Sequence, residues 1–129
     1  IEEKAWPEDK VKGFTFPIDD TTSTYNFIVN IRNTTDYKYR NLYLFMNTIY
    51  PGNASSRDTM ELILAAPSGK WLGKGNGFYR DNLFMFKKDV QLPSAGDYRI
   101  EFIQAMREDT LRGIDEIGLR VQKNNTQQP

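Results

Sequence analysis

Tyr25-Asn26-Phe27-Ile28-Val29-Asn30-Ile31-Arg32 sets the rhythm of the whole chain. Tyr25, Phe27, Val29 and Ile31 fall on alternate positions, which puts them on one face of a strand and Asn26, Asn30 and Arg32 on the other. A helix would need its apolar residues three and four apart. The same period recurs on both sides. Phe14, Phe16 and Ile18 alternate around Pro17, whose missing N–H points to an edge strand or a strand end. Leu42, Leu44 and Met46 alternate with Tyr43, Phe45 and Asn47, and Met60, Leu62 and Leu64 follow the same rule. Leu83 to Phe86 reads as a further strand, closed by Lys87-Lys88 as charges that keep its edge from pairing. Tyr98, Ile100, Phe102, Gln104 and Met106 share one face of the next, and Ile117, Leu119 and Val121 complete the set.

Turn residues separate these runs: Thr34-Thr35-Asp36, Pro51-Gly52-Asn53 and Pro67-Ser68-Gly69. The reading is all-β, with about eight strands in a two-sheet antiparallel β-sandwich of jelly-roll-like type. Helix is limited to single turns, one over Met106 to Leu111 and another in the lead-in. Residues 1–13 read as a polar N-terminal tether around Trp6-Pro7, residues 14–122 as a single sandwich domain, and residues 123–129 as a disordered tail. Pro93-Ser94-Ala95-Gly96-Asp97-Tyr98 resembles the tyrosine corner of Greek-key sandwiches, in which the phenol bonds backbone upstream.

Composition narrows the chemistry. The chain has 129 residues with 17 basic and 17 acidic side chains, and neither histidine nor cysteine. Zero net charge argues against a nucleic-acid partner, which demands a basic excess. Without histidine the usual general base near neutral pH is missing, and without cysteine there is no thiolate nucleophile or thiolate metal site. No catalytic residues, metal or cofactor are therefore assigned. The chain opens at Ile1 with neither a methionine nor an apolar signal segment, as expected of a processed form.

Three local patterns invite chemistry and have a plainer reading. Lys70-Trp71-Leu72-Gly73-Lys74-Gly75-Asn76-Gly77 lacks the Gly-Lys-Ser/Thr of a phosphate loop and reads as a glycine-rich β-connection. Asp58 with Glu61, or Asp19 with Asp20, would serve glycoside hydrolysis only if the carboxyls faced each other, and exposed acids are far commoner. Asp19-Asp20 alone supplies too few oxygens for calcium. Aromatics lie in or beside loops at Tyr37, Tyr39, Tyr43, Tyr50, Trp71 and Tyr79, where they serve either packing or recognition of a sugar or a protein.

Ile31-Arg32-Asn33-Thr34-Thr35-Asp36-Tyr37, Asn41-Leu42-Tyr43-Leu44, Gly69-Lys70-Trp71-Leu72-Gly73-Lys74-Gly75 and Gln104-Ala105-Met106-Arg107, with Leu111-Arg112-Gly113-Ile114 and Ile117-Gly118-Leu119-Arg120, together resemble the GldH gliding-motility lipoproteins. The resemblance implies a cell-envelope, periplasm-facing domain held to the membrane only through a lipidated N-terminal cysteine ahead of Ile1. It implies a non-enzymatic role, binding other envelope or motility and secretion proteins. A carbohydrate-binding module, with a glycan as partner, is the alternative. Candidate binding residues are Trp71, Tyr79, Gln104 and Arg107, with Gln104 either tying loop backbone or forming the polar centre of a site, and Arg107 either pairing with a nearby acid or contacting a partner. Thr21, Thr59 and Thr110 each follow an aspartate in a pattern resembling periplasmic O-glycosylation acceptors, which turn chemistry explains equally well.

Overall fold

The alternation read from the sequence resolves into two stacked antiparallel sheets in a computed structural model, which describes residues 4–124. The strands are β1 (Ala5–Pro7), β2 (Lys12–Ile18), β3 (Thr24–Thr34), β4 (Asn41–Ile49), β5 (Ser55–Ile63), β6 (Tyr79–Gln91), β7 (Gly96–Gln104), β8 (Thr110–Arg112) and β9 (Ile114–Asn124). One sheet has the order β2-β7-β4-β5 and the other β6-β3-β9, while β1 and β8 form a small two-stranded ribbon. Of the connections within the two large sheets, only β4 to β5 joins neighbours, so the chain passes repeatedly between layers in the jelly-roll-like manner expected.

The core forms where the two inner faces meet. Val29 and Ile31 of β3, Leu42 and Leu44 of β4, and Phe102 of β7 are fully buried. At about 25 cal/mol per Å2 of apolar surface, each such side chain contributes roughly 1.5–3 kcal/mol by leaving water. Aromatic pairs bind the layers: Phe16 meets Phe27 at 5.9 Å, and Phe86 meets Phe102 edge-on at 6.2 Å. The tyrosine corner is present. Tyr98 Oη donates to the Ser94 carbonyl at 2.6 Å and accepts from the Ser94 amide at 3.3 Å.

Four details depart from the sequence reading. The N-terminal lead-in is part of the domain: Trp6 is completely buried, pairs opposite Leu111, and donates Nε1 to the Lys10 carbonyl at 2.9 Å. With β2 starting at Lys12, the boundary expected at residue 14 moves into the lead-in. Met106 to Leu111 makes no helical turn; the segment ends in β8, which needs extended backbone to meet β1. Lys87-Lys88 does not end its strand. Residues 79–91 continue through a bulge opposite Phe27, where the register slips between Ile28–Met85 and Tyr25–Val90. At the other terminus Lys123 and Asn124 belong to β9, and the rest of the expected tail, residues 125–129, lies outside the described residues.

The layers are unequal, four strands over three, and this positions the site. Ser56, Asp58, Met60 and Leu62 lie opposite Thr48, Met46, Leu44 and Leu42, so they share the inner face of β5. Leu62 is buried, Met60 half-buried, and Asp58 and Ser56 exposed. The second sheet has no fourth strand to cover them.

Candidate functional site

Gln104 ends β7 with its amide in the interior. Its Nε2 donates to the carbonyls of Trp6 at 3.3 Å and Glu108 at 2.8 Å, and its Oε1 accepts from the Met106 amide at 2.9 Å. The strand period forces it inward, since Tyr98, Ile100 and Phe102 of the same strand are all buried. Three bonds in a buried setting make Gln104 a tie between the β1–β8 ribbon and the sandwich. Arg107 is exposed and makes no ion pair among the described residues. Of the acids near it in sequence, Glu108 is engaged elsewhere. Glu108 accepts from the Tyr39 hydroxyl and pairs with Lys38 Nζ at 3.0 Å, which in that order hold its carboxyl below the usual range. Tyr37 is buried, donates to the Asn41 carbonyl at 2.7 Å and has its phenol pushed well up by burial.

Trp71 and Tyr79 do not rim this cluster. Trp71 bridges to Ala65 across the hairpin turned by Pro67-Ser68-Gly69, and its half-buried ring packs against the core. Tyr79 starts β6, edge-on to Phe78 at 5.2 Å, with Lys4 Nζ 5.7 Å and the Arg32 guanidinium 5.8 Å from its ring centre. No hydrogen bond or ring contact joins Trp71, Tyr79, Gln104 and Arg107 to one another among the described residues.

The carboxylate pairs also separate. Glu61 accepts from Asn41 at 2.8 Å on the outer face of β5, whereas Asp58 points inward from the same strand. Asp20 caps its own turn, accepting from the Thr22 amide at 2.8 Å and the Ser23 hydroxyl at 2.7 Å, and meets Lys123 at 2.8 Å. The Lys123 ammonium, then the Thr22 and Ser23 hydroxyls, hold its carboxyl far below the usual range. No cluster of three potential metal-ligating side chains occurs among the described residues. Of the three threonines, Thr59 is exposed on β5, while Thr21 and Thr110 are half-buried.

The feature the sequence reading missed is the side of the sandwich where β5 and β6 are both edges. Leu83 is 63% exposed, Leu72 57%, Met85 49% and Ile63 46%. Ile63, Leu72 and Leu83 line one surface depression there, beside Lys74 and Asp81. Further along, an apolar cavity of about 140 Å3 opens between the layers, walled by Phe16, Phe86, Met46, Tyr98 and Ile100, with Thr48, Ser56, Asp58 and Lys87 also lining it. Single exposed leucines are ordinary; a row of four beside a cavity is not. The signal was legible in part, because Leu83 and Met85 alternate with Phe84 and Phe86 and both faces cannot be core.

Fold and site thus define an all-β sandwich domain with an apolar, unpaired edge and a self-contained polar cluster. The chain belongs to the family described as GldH lipoprotein, whose profile matches residues 1–121. It is 32% identical over 127 residues to the gliding motility lipoprotein GldH homolog of Christiangramia forsetii, covering 93% of this chain and 78% of that protein. It is 31% identical over 128 residues to the gliding motility lipoprotein GldH of Flavobacterium johnsoniae, covering 94% and 79% respectively. No solved structure matches it. The protein is a gliding-motility-type, envelope-associated lipoprotein with an all-β sandwich domain.

Proposed function

We propose that this domain is a non-enzymatic, periplasm-facing binding module that docks another envelope protein on its β5–β6 side. The observation carrying this reading is the apolar row Ile63, Leu72, Leu83 and Met85 at the free edge of both sheets. Exposed apolar surface of this kind is retained where a partner covers it. The carbohydrate alternative gains no support. Stacking on sugar needs a free, flat aromatic face, and Trp71 packs against the core while Tyr79 is flanked by Phe78, Lys4 and Arg32.

A photo-activatable residue placed at Leu72 of the full-length lipoprotein, irradiated in intact envelopes, tests the reading. One discrete cross-linked protein is expected, with none from the same residue placed at Lys10 on the far side of the fold. Equal labelling from the two positions, or none from Leu72, refutes it.

A further inference from the structure

Two missing things coincide at the β5–β6 side: a partner for the edge of β6 and a cover for the inner face of β5. The backbone shows which groups are free. Asp81 spends its N–H and its C=O on Lys74, both at 2.8 Å, so its backbone bonds point away from β3. Antiparallel pairs alternate between bonded and non-bonded, so Leu83 and Met85, opposite Asn30 and Ile28, also turn their N–H and C=O outward. The Leu72–Lys74 segment covers β6 at Asp81 and the register first slips between Met85 and Lys87, leaving Leu83–Met85 as an unguarded stretch of edge.

From these observations, and resting on the binding role proposed above, we infer that the partner contributes an extended polypeptide segment. It adds to β6 as a fourth strand at Leu83–Met85 and places one bulky apolar side chain in the cavity under Phe86. Only a strand supplies acceptors and donors at the spacing of alternate residues, roughly 6–7 Å apart. Added there, its inward side chains lie opposite β5, where Met60 is half-covered and Ser56 and Asp58 face solvent. The cavity of about 140 Å3 matches one ring or branched aliphatic group, since an apolar cavity of about 150 Å3 holds benzene. Thr48, Ser56, Asp58 and Lys87 supply polar groups for the flanking main chain. A second copy of this chain fits less well. Phe84 and Phe86 of its own β6 are packed on its own core, so an edge-to-edge pair leaves the cavity empty.

The experiment pans a phage library of random heptapeptides on the folded chain, then measures a synthetic peptide of the enriched sequence. Enrichment of a bulky apolar residue within an alternating pattern is expected, with the Leu83 and Met85 amides gaining hydrogen-exchange protection. Met85→Pro removes one outward donor without touching the β3 ladder and should weaken binding at least tenfold with the melting temperature nearly unchanged. Ser56→Trp fills the cavity from its rim and should weaken binding equally without using a proline. Absence of enrichment, peptides that bind both variants as well as the parent, or a dimer that Met85→Pro dissolves would overturn the inference. A Leu72 cross-link that persists in both variants would also overturn strand addition while leaving the docking surface standing.

Discussion

Removing the Trp6 side chain is the sharpest test of where the domain begins. Trp6 is 0% exposed and is the central residue of the three-residue strand β1, in a segment whose neighbours Glu8, Asp9 and Lys10 are all exposed. Burial of an indole removes about 150–250 Å2 from water, which at about 25 cal/mol per Å2 gives roughly 4–6 kcal/mol. Loss of the Nε1 bond to Lys10 adds about 1 kcal/mol, and partial collapse of the cavity returns some of the total. Trp6→Ala should therefore cost about 3–5 kcal/mol, a large part of the roughly 5–15 kcal/mol that holds a domain folded. The assay is urea unfolding followed by circular dichroism, with the midpoint falling and the slope constant. A loss below about 1 kcal/mol would refute the assignment and return the segment to a tether.

The remaining expectations concern the polar ties. Gln104→Leu keeps the volume but removes the partner of the Glu108 carbonyl and the Met106 amide, while the Trp6 carbonyl stays in the β1–β8 ladder, so a loss of about 1–3 kcal/mol per unsatisfied group is the upper scale. Arg107→Ala should leave the melting temperature unchanged; a clear drop would show a tie that the fold does not contain. Asp20 has its pKa depressed in the folded state, so its contribution is complete above the unfolded carboxylate range and is lost as pH falls towards the folded value. Asp20→Asn should thus destabilise at pH 7 and converge with the parent in strong acid, and a difference independent of pH in denaturation series would refute that account. Peptide mapping of the native protein by mass spectrometry should place any O-linked glycan on Thr59, the exposed acceptor, before Thr21 or Thr110.

The strands that bury one face were legible because burial imposes a period: β7 follows it from Tyr98 to Gln104, β4 from Leu42 to Met46, and β3 from Phe27 to Asn33, with Asn26 and Thr34 buried out of turn. Gln104 was placed inward by the same parity. Its partners were not legible, since the Trp6 carbonyl lies 98 residues away and nothing local encodes that meeting. β1 and β8 were missed because three-residue strands show no period, and Trp6 is hidden among charges that face solvent around it. The length of β6 was misread at Lys87-Lys88, where a bulge lets two exposed lysines sit inside a strand. The β5–β6 side was the hardest to read. An edge is a property of sheet order, and sheet order depends on pairings that no single stretch of sequence carries.

The pairing of Trp6 with Leu111 also fixes a timetable. A chain that emerges from its N-terminus presents the indole first and its cover last, because β8 and the Gln104 amide follow about a hundred residues later. Until then the opening segment has nothing to close against. Sealing of the core waits on completion of the chain, and pairings this distant in sequence form slowly. The newly made polypeptide consequently passes through a period in which its opening segment stays unlocked while the strands between are already available to pair.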